Sequence, residues 1–293
     1  MLNELNDMQR RELDKHIAIA TTTSYRLDPK SGFYKSDVIR ADLAAETIKC
    51  AAGIGYEIFV VDGGSPSFLT EEFTCSGAHV YRGCGESMGA DRRRAMREAA
   101  ASGRPYIAWM EPEKAPLVHD LWKSAVPLLG GADIVVPKRF SLNSYPAVQK
   151  ESETRNNKEF EDLTGCDLDL WFGPRAMGFA GLMSFINYDG THHGKFYGDK
   201  WDSVFVPPVL ALINGKNVVS VPVNYVHPSE QREIEECNPV FDEKRRAQTE
   251  NVMPALREVW KNRGWNGGLV PLTRIAEYCE IPCVEYKIYV RGQ

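Results

Sequence analysis

EIFVVDGGS (Glu57–Ser65) is an apolar run rich in β-branched and aromatic residues that ends on an aspartate and two glycines. It reads as a strand buried on both faces, followed at once by a tight turn. Similar runs flank it: IAIATTT (Ile17–Thr23), AHVYR (Ala78–Arg82), YIAWME (Tyr106–Glu111) and DIVVP (Asp133–Pro137). None alternates cleanly, which suits strands covered by helices on both faces. Between them the spacing turns helical. Ser36 is placed to cap a helix through Ala52, with Ile39, Leu43 and Ile48 on one side and Gly53 and Gly55 at its end. A second helix is expected over Ser87–Ser102 and a third over Pro116–Leu129, bent or shortened by Pro127. Strand and helix in alternation imply an α/β fold, a mostly parallel sheet with helices on both faces. Ligands of such sheets bind outside the carboxyl ends of the strands.

Beyond Phe140 the pattern changes. FSLNSYPAVQKESETRNNKEFEDL is long and polar and reads as an excursion from the sheet. NVVSVPVNYVHP (Asn217–Pro228) reads as a late strand and loop. Phe241–Asn262 reads as a helix interrupted by Pro254, and the tail CVEYKIYVRG as an edge strand. The 293 residues suffice for one large α/β domain or two small ones.

A net charge of -5 gives no sign of a nucleic-acid partner. The densest basic cluster, Arg92–Arg94 with Arg97, falls within one short helical segment. Seven cysteines at irregular spacing form no CxxC pair, against a zinc ribbon or a redox motif. MLNELNDMQRRELDKH has no apolar core, so it does not read as a signal peptide, and no stretch approaches membrane-spanning length. A cytoplasmic protein with reduced thiols is expected.

Several residue sets have the chemistry of a site, each with a plainer alternative. Glu111-Pro112-Glu113 places two carboxylates at a strand end, where a hard Mn²⁺ or Mg²⁺ ion would be held. Equally, it is a solvated acidic turn with Lys114 pairing one glutamate. Asp62 is suited to accept a base N–H or to cap its own turn. Thr21, Thr22, Thr23 and Tyr25 lie at the first strand end, where hydroxyls would hold a ribose or simply finish the strand. His227 is a metal ligand or a plain loop histidine. CDLDLWFGPRA and FYGDKWDS offer Asp169, Asp199 and Asp202 as bases, and Arg175 for phosphate or for a structural ion pair. His192-His193, between glycines, is a lid or a surface turn.

Taken in order, these pieces resemble the GT-A glycosyltransferases, in particular the family-2-like members related to dolichol-phosphate-mannose and mannosylglycerate synthases. IAIATTTSY resembles the first strand and base-binding loop, and EIFVVDGGS the second strand. SMGADRRRAMREAAASGRPYIAWMEPEK resembles the helix, strand and Asp-x-Asp segment, GGADIVVPKR the next strand, DLWFGPRAM an acceptor-side segment and VPVNYVHP the late strand ending in a metal-binding histidine. The resemblance implies a nucleotide-sugar half (17–139), an acceptor half (140–230), an N-terminal extension (1–16) and a C-terminal helical extension (231–293). It implies a donor site of Thr21, Thr22, Thr23, Tyr25, Asp62, Gly89, Arg93, Met110, Glu111 and Arg175. It places a metal on Glu111, Glu113 and His227, and a base among Asp169, Asp199 and Asp202. Glu-Pro-Glu stands where Asp-x-Asp is usual, so each carboxylate is one methylene longer, and Gly63 replaces a second aspartate.

The function expected is metal-dependent transfer of a hexose from a UDP- or GDP-sugar to a hydroxyl of a small soluble acceptor, with a homodimer as the default assembly. Two alternatives stand beside it. A sugar-1-phosphate nucleotidyltransferase would carry a glycine-rich basic loop after the first strand, and TTTSYRLDPKSG has one glycine. A non-catalytic nucleotide-sugar-binding protein of the same fold would bind without turnover.

Overall fold

The protein is described here by a computed structural model covering residues 6–190 and 198–262. The His192-His193 loop, Phe196, Tyr197 and the CVEYKIYVRG tail lie outside the described residues.

The chain runs α1 (Asp7–Asp14), β1 (Ile17–Thr23), α2 (Tyr34–Ile54), β2 (Glu57–Asp62), α3 (Ser67–Cys75), β3 (Ala78–Arg82), α4 (Met88–Ala101), β4 (Tyr106–Trp109), α5 (Ala115–Val118) and α6 (Trp122–Leu129). It continues β5 (Ile134–Arg139), α7 (Ala147–Thr164), β6 (Arg175–Met177), α8 (Phe179–Ile186), α9 (Asp202–Ile213), β7 (Val218–Val223), α10 (Ser229–Glu236) and α11 (Pro239–Lys261). The sheet order is β3-β2-β1-β4-β6-β5-β7, and all pairings are parallel except those of β6 with β4 and β5.

Alternation along β1 shows why its first four residues are all apolar. Ala18 and Ala20 enter one core with α4, α8, α9 and α11, while Ile17 and Ile19 enter the other with α2, α3 and α6. The five strands read from sequence are present, although β4 ends at Trp109, two residues before Glu111. α2 begins at Tyr34 without a side-chain cap, so Ser36 lies buried inside it, and Gly53 is helical; Gly55, at φ 106°, ends it. The expected third helix is two short ones, α5 and α6, with Pro127 inside the second.

The largest correction is α7. The polar excursion is an 18-residue helix that starts directly after Pro146. It buries Gln149, Glu153, Asn156 and Phe160, a helical stripe whose first three members are polar. Asn156 donates to Thr249 of α11 at 2.9 Å, which ties the helix down. No helix among the described residues is long and apolar enough to cross a membrane, and the five described cysteines are free.

Candidate functional site

A cavity of about 550 Å³ opens at the carboxyl ends of β1, β2 and β4. Its first wall comes from the ends of β1 and β2. Thr22, Thr23, Ser24 and Gly63 line it. Asp62 is turned inward: one oxygen accepts from the Thr23 hydroxyl at 2.7 Å, the other from the N–H groups of Gly64 and Ser65 at 2.9 and 2.7 Å. Gly64, at φ 124°, makes that turn possible. These are the contacts of a turn-former, and Asp62 itself lies off the cavity lining. Thr21 and Met110 are buried and lie off the cavity lining.

The amino end of α4 forms the floor. Ser87 caps it by accepting from Ala90 N–H at 2.9 Å. Arg92 lines the cavity with its guanidinium over the Trp109 ring, and donates to the Lys200 carbonyl at 2.5 Å and to Ser203 at 2.8 Å. Burial pulls its pKa down to about 10 against the pull of Glu111, Asp202 and Asp199. The donor residue expected from sequence was Arg93, one position on. Arg93 instead pairs with Asp199 at 2.5 Å and donates to the Tyr188 carbonyl. The basic cluster was visible in the sequence, but only the phase of α4 shows which arginine faces the site.

The three expected bases are all engaged elsewhere, and none lines the cavity. Asp199, in the left-handed region at φ 54°, is held by Arg93 and the Ser87 hydroxyl, and a Cβ on Gly89 would overlap it. Asp202 accepts from Tyr188 at 2.6 Å and from Lys200 N–H at 2.7 Å. Asp169 accepts from Arg139 and Asn157, both at 2.7 Å; burial raises its pKa, but the Arg139 charge outweighs that and keeps it low. Arg175 is likewise no phosphate ligand. It is buried and donates to the carbonyls of Leu170, Phe172 and Pro174, which fixes the approach to β6.

The expected metal trio does not assemble. Glu113 is buried, 2.6 Å from Arg40 and 3.0 Å from the Tyr25 hydroxyl that donates to it. His227 stacks on Tyr145 and faces Glu235 at 3.6 Å. Burial lowers the His227 pKa, so the ring is neutral near pH 7. Among the described residues no group of three or more His, Cys, Asp or Glu is arranged to hold a metal. Glu113 lines the cavity and His227 does not; Glu111 differs from both in its free oxygen. It lines the cavity, and its Oε2 is buried with no hydrogen-bond partner. A buried carboxylate oxygen left unpaired is costly unless a ligand completes it. It fits a Mg²⁺- or Mn²⁺-type ion, which is held by one or two carboxylates plus substrate phosphates and water.

The opposite wall is cationic and aromatic. Lys114 sits over Tyr225, Phe172 and Tyr145 at 4.9, 5.5 and 5.9 Å. Among the described residues no carboxylate lies within 4.0 Å of it, so the sequence reading in which it pairs a neighbouring glutamate does not hold. Burial depresses its pKa, but Tyr145, Tyr225 and Glu111 outweigh that and keep it charged. Arg139 stacks over Tyr145 and Phe172 and is neutralised by Glu153 at 2.7 Å and Asp169 at 2.7 Å. Lys244 and Arg245 of α11 complete the lining.

No protein-family model matches the sequence, and no curated protein matches it. Solved structures do match the fold. The mostly parallel seven-stranded sheet with its helices matches the GT-A fold of these structures. Glucosyl-3-phosphoglycerate synthase from Mycobacterium tuberculosis, in complex with Mn²⁺, uridine diphosphate and glucosyl-3-phosphoglycerate, superposes with a TM-score of 0.60 at 13% identity, over 88% of this chain and 85% of that one. The same enzyme with Mg²⁺ and uridine diphosphate gives 0.55 at 14%, over 86% and 83%. Mannosyl-3-phosphoglycerate synthase from Rubrobacter xylanophilus gives 0.57 at 11%, over 90% and 81%. At these identities the likeness establishes the fold.

Proposed function

We propose that this chain transfers a hexosyl group from a uridine- or guanosine-diphosphate sugar to a hydroxyl of a small anionic acceptor. The observation that carries the reading is the unpaired buried oxygen of Glu111, placed between a hydroxyl-lined wall and a cationic one. The structurally similar synthases, bound to uridine diphosphate and phosphoglycerate products, support this choice of ligands.

In this reading the first wall receives the nucleoside against Thr22, Ser24 and the Gly63 backbone. Arg92 and the amino end of α4 face the diphosphate and stabilise the charge that builds up as it departs. Glu111 would hold a divalent cation, which supplies Lewis-acid compensation of that charge when bound. Lys114 offers its ammonium, which has no carboxylate within salt-bridge distance among the described residues, to an acceptor carboxylate or phosphate. The aromatic rings around it exclude water and strengthen that attraction.

The test is a thermal-shift titration with uridine diphosphate and guanosine diphosphate, each with and without Mn²⁺, followed by donor turnover with 3-phosphoglycerate. A site ligand stabilises the folded state, so one diphosphate raises the melting temperature and its sugar is consumed. No shift with either diphosphate would sink the reading. A second reading is favoured by the engagement of Asp169, Asp199 and Asp202 with structural partners: a protein that binds the donor without transferring it. Saturable binding with no turnover would establish it.

A further inference from the structure

β4 and β6 are antiparallel, with Ile107 opposite Met177 and Trp109 opposite Arg175. Extending that register by two residues sets Glu111 across from Gly173. The side chains confirm the meeting: a Cβ built on Gly173 would overlap Glu111 Oε1 and come within 2.7 Å of Oε2. Gly173 does not have a positive φ, so the backbone there tolerates any residue. What glycine provides is room. The room is taken up by a carboxylate on a side chain one methylene longer than aspartate, and that carboxylate keeps one oxygen unpaired and buried.

We propose that Gly173 is the positioning residue of the site, and that Gly173 and Glu111 form a size-matched pair. The glycine seats the longer carboxylate so that its free oxygen faces the diphosphate and the cation. Glu113 also lines the cavity, but its Oε1 is engaged by Arg40 and the Tyr25 hydroxyl. The inference rests on the transferase reading for the identity of the ligand, but the pairing itself does not.

Two measurements on the full chain separate these levels. The first is a thermal double-mutant cycle without ligand. Gly173→Ala overfills the contact and lowers the melting temperature by about 3 °C or more. Adding Glu111→Asp withdraws the carboxylate by one methylene and recovers most of that loss. Additive losses in the double variant would overturn the pairing. The second is Mn²⁺ affinity in the presence of the stabilising nucleoside diphosphate, read by paramagnetic resonance of free Mn²⁺. Gly173→Ala weakens Mn²⁺ binding at least about tenfold, equivalent to ~1.4 kcal/mol, and the double variant returns to within about threefold of wild type. Wild-type affinity in Gly173→Ala, or no recovery in the double variant, would overturn the positioning role. A wild-type protein that binds neither diphosphate refutes the transferase reading, while the thermal cycle still decides the pair.

Discussion

The two walls of the cleft are built on opposite plans. On the β1–β2 side, polar groups are satisfied by their own neighbourhood: Asp62 binds Thr23, Gly64 and Ser65, and the Ser65 hydroxyl accepts from Tyr25 N–H. On the β5–β7 side, charges are held by salt bridges and ring faces. Arg139 is neutralised by Glu153 and Asp169, and Lys114 rests on rings from three separate loops. The first wall is a self-contained turn that presents backbone and hydroxyls. The second is a network of charges and rings in which one ammonium has no carboxylate within salt-bridge distance among the described residues. A nucleoside suits the first and an anion the second.

The difference can be attacked directly. Arg139→Met strands two buried carboxylates and costs about 3–5 kcal/mol, measured by guanidinium unfolding; a loss below about 1 kcal/mol would mean the second wall is not a network. Asp62→Ala removes three hydrogen bonds and costs about 1–3 kcal/mol. If that variant keeps full stability and loses only nucleotide binding, Asp62 contacts the base after all and the first wall is not self-contained. Lys114→Met breaks no salt bridge, so stability stays within about 1 kcal/mol. Affinity for 3-phosphoglycerate falls at least about tenfold while diphosphate affinity holds, in calorimetric titration. Equal loss of both ligands would remove the distinction between the walls.

The smallest effect is a pH dependence from Lys244. Burial, then the charges of Arg40 and Arg245, lower its pKa to about 8 from the ordinary 10.5. Between these values the unfolded chain binds the extra proton, so this group makes stability rise as pH climbs from about 8 toward 10. Lys244→Met flattens that rise in a urea-midpoint series. An unchanged slope would place the lysine in solvent.

The same contrast governs what could be read in advance. The turn of the first wall was legible because EIFVVDGGS contains both the strand and the residues that close it, whereas its ties to Thr23 and Tyr25 reach across from β1. The second wall was not. Gln149, Glu153 and Asn156 are buried polar residues on one helical stripe, and polar residues at helical spacing read as surface. They are inside because Arg139 and Thr249 need them there, which no window of sequence around them shows. β6 was missed because three residues are too few to set a period. With it went the facing of Glu111 and Gly173. Glu113 and His227 were assigned by residue type and by the resemblance, and their partners in the structure, Arg40 and Glu235, come from α2 and α10.

β6 also has a bearing on the order in which the molecule can assemble. It alone bridges the set β3-β2-β1-β4 to the pair β5-β7. During synthesis the first four strands emerge by Trp109 and can close among themselves, but the sheet cannot be joined until Met177 has followed. We expect a refolding chain to gain protection in β1 and β2 before β5 and β7, with β6 as the late clasp; simultaneous protection in pulsed hydrogen exchange would refute this. The cleft would then exist only once the last step is taken, because Glu111 and the glycine that seats it arrive on opposite sides of that seam.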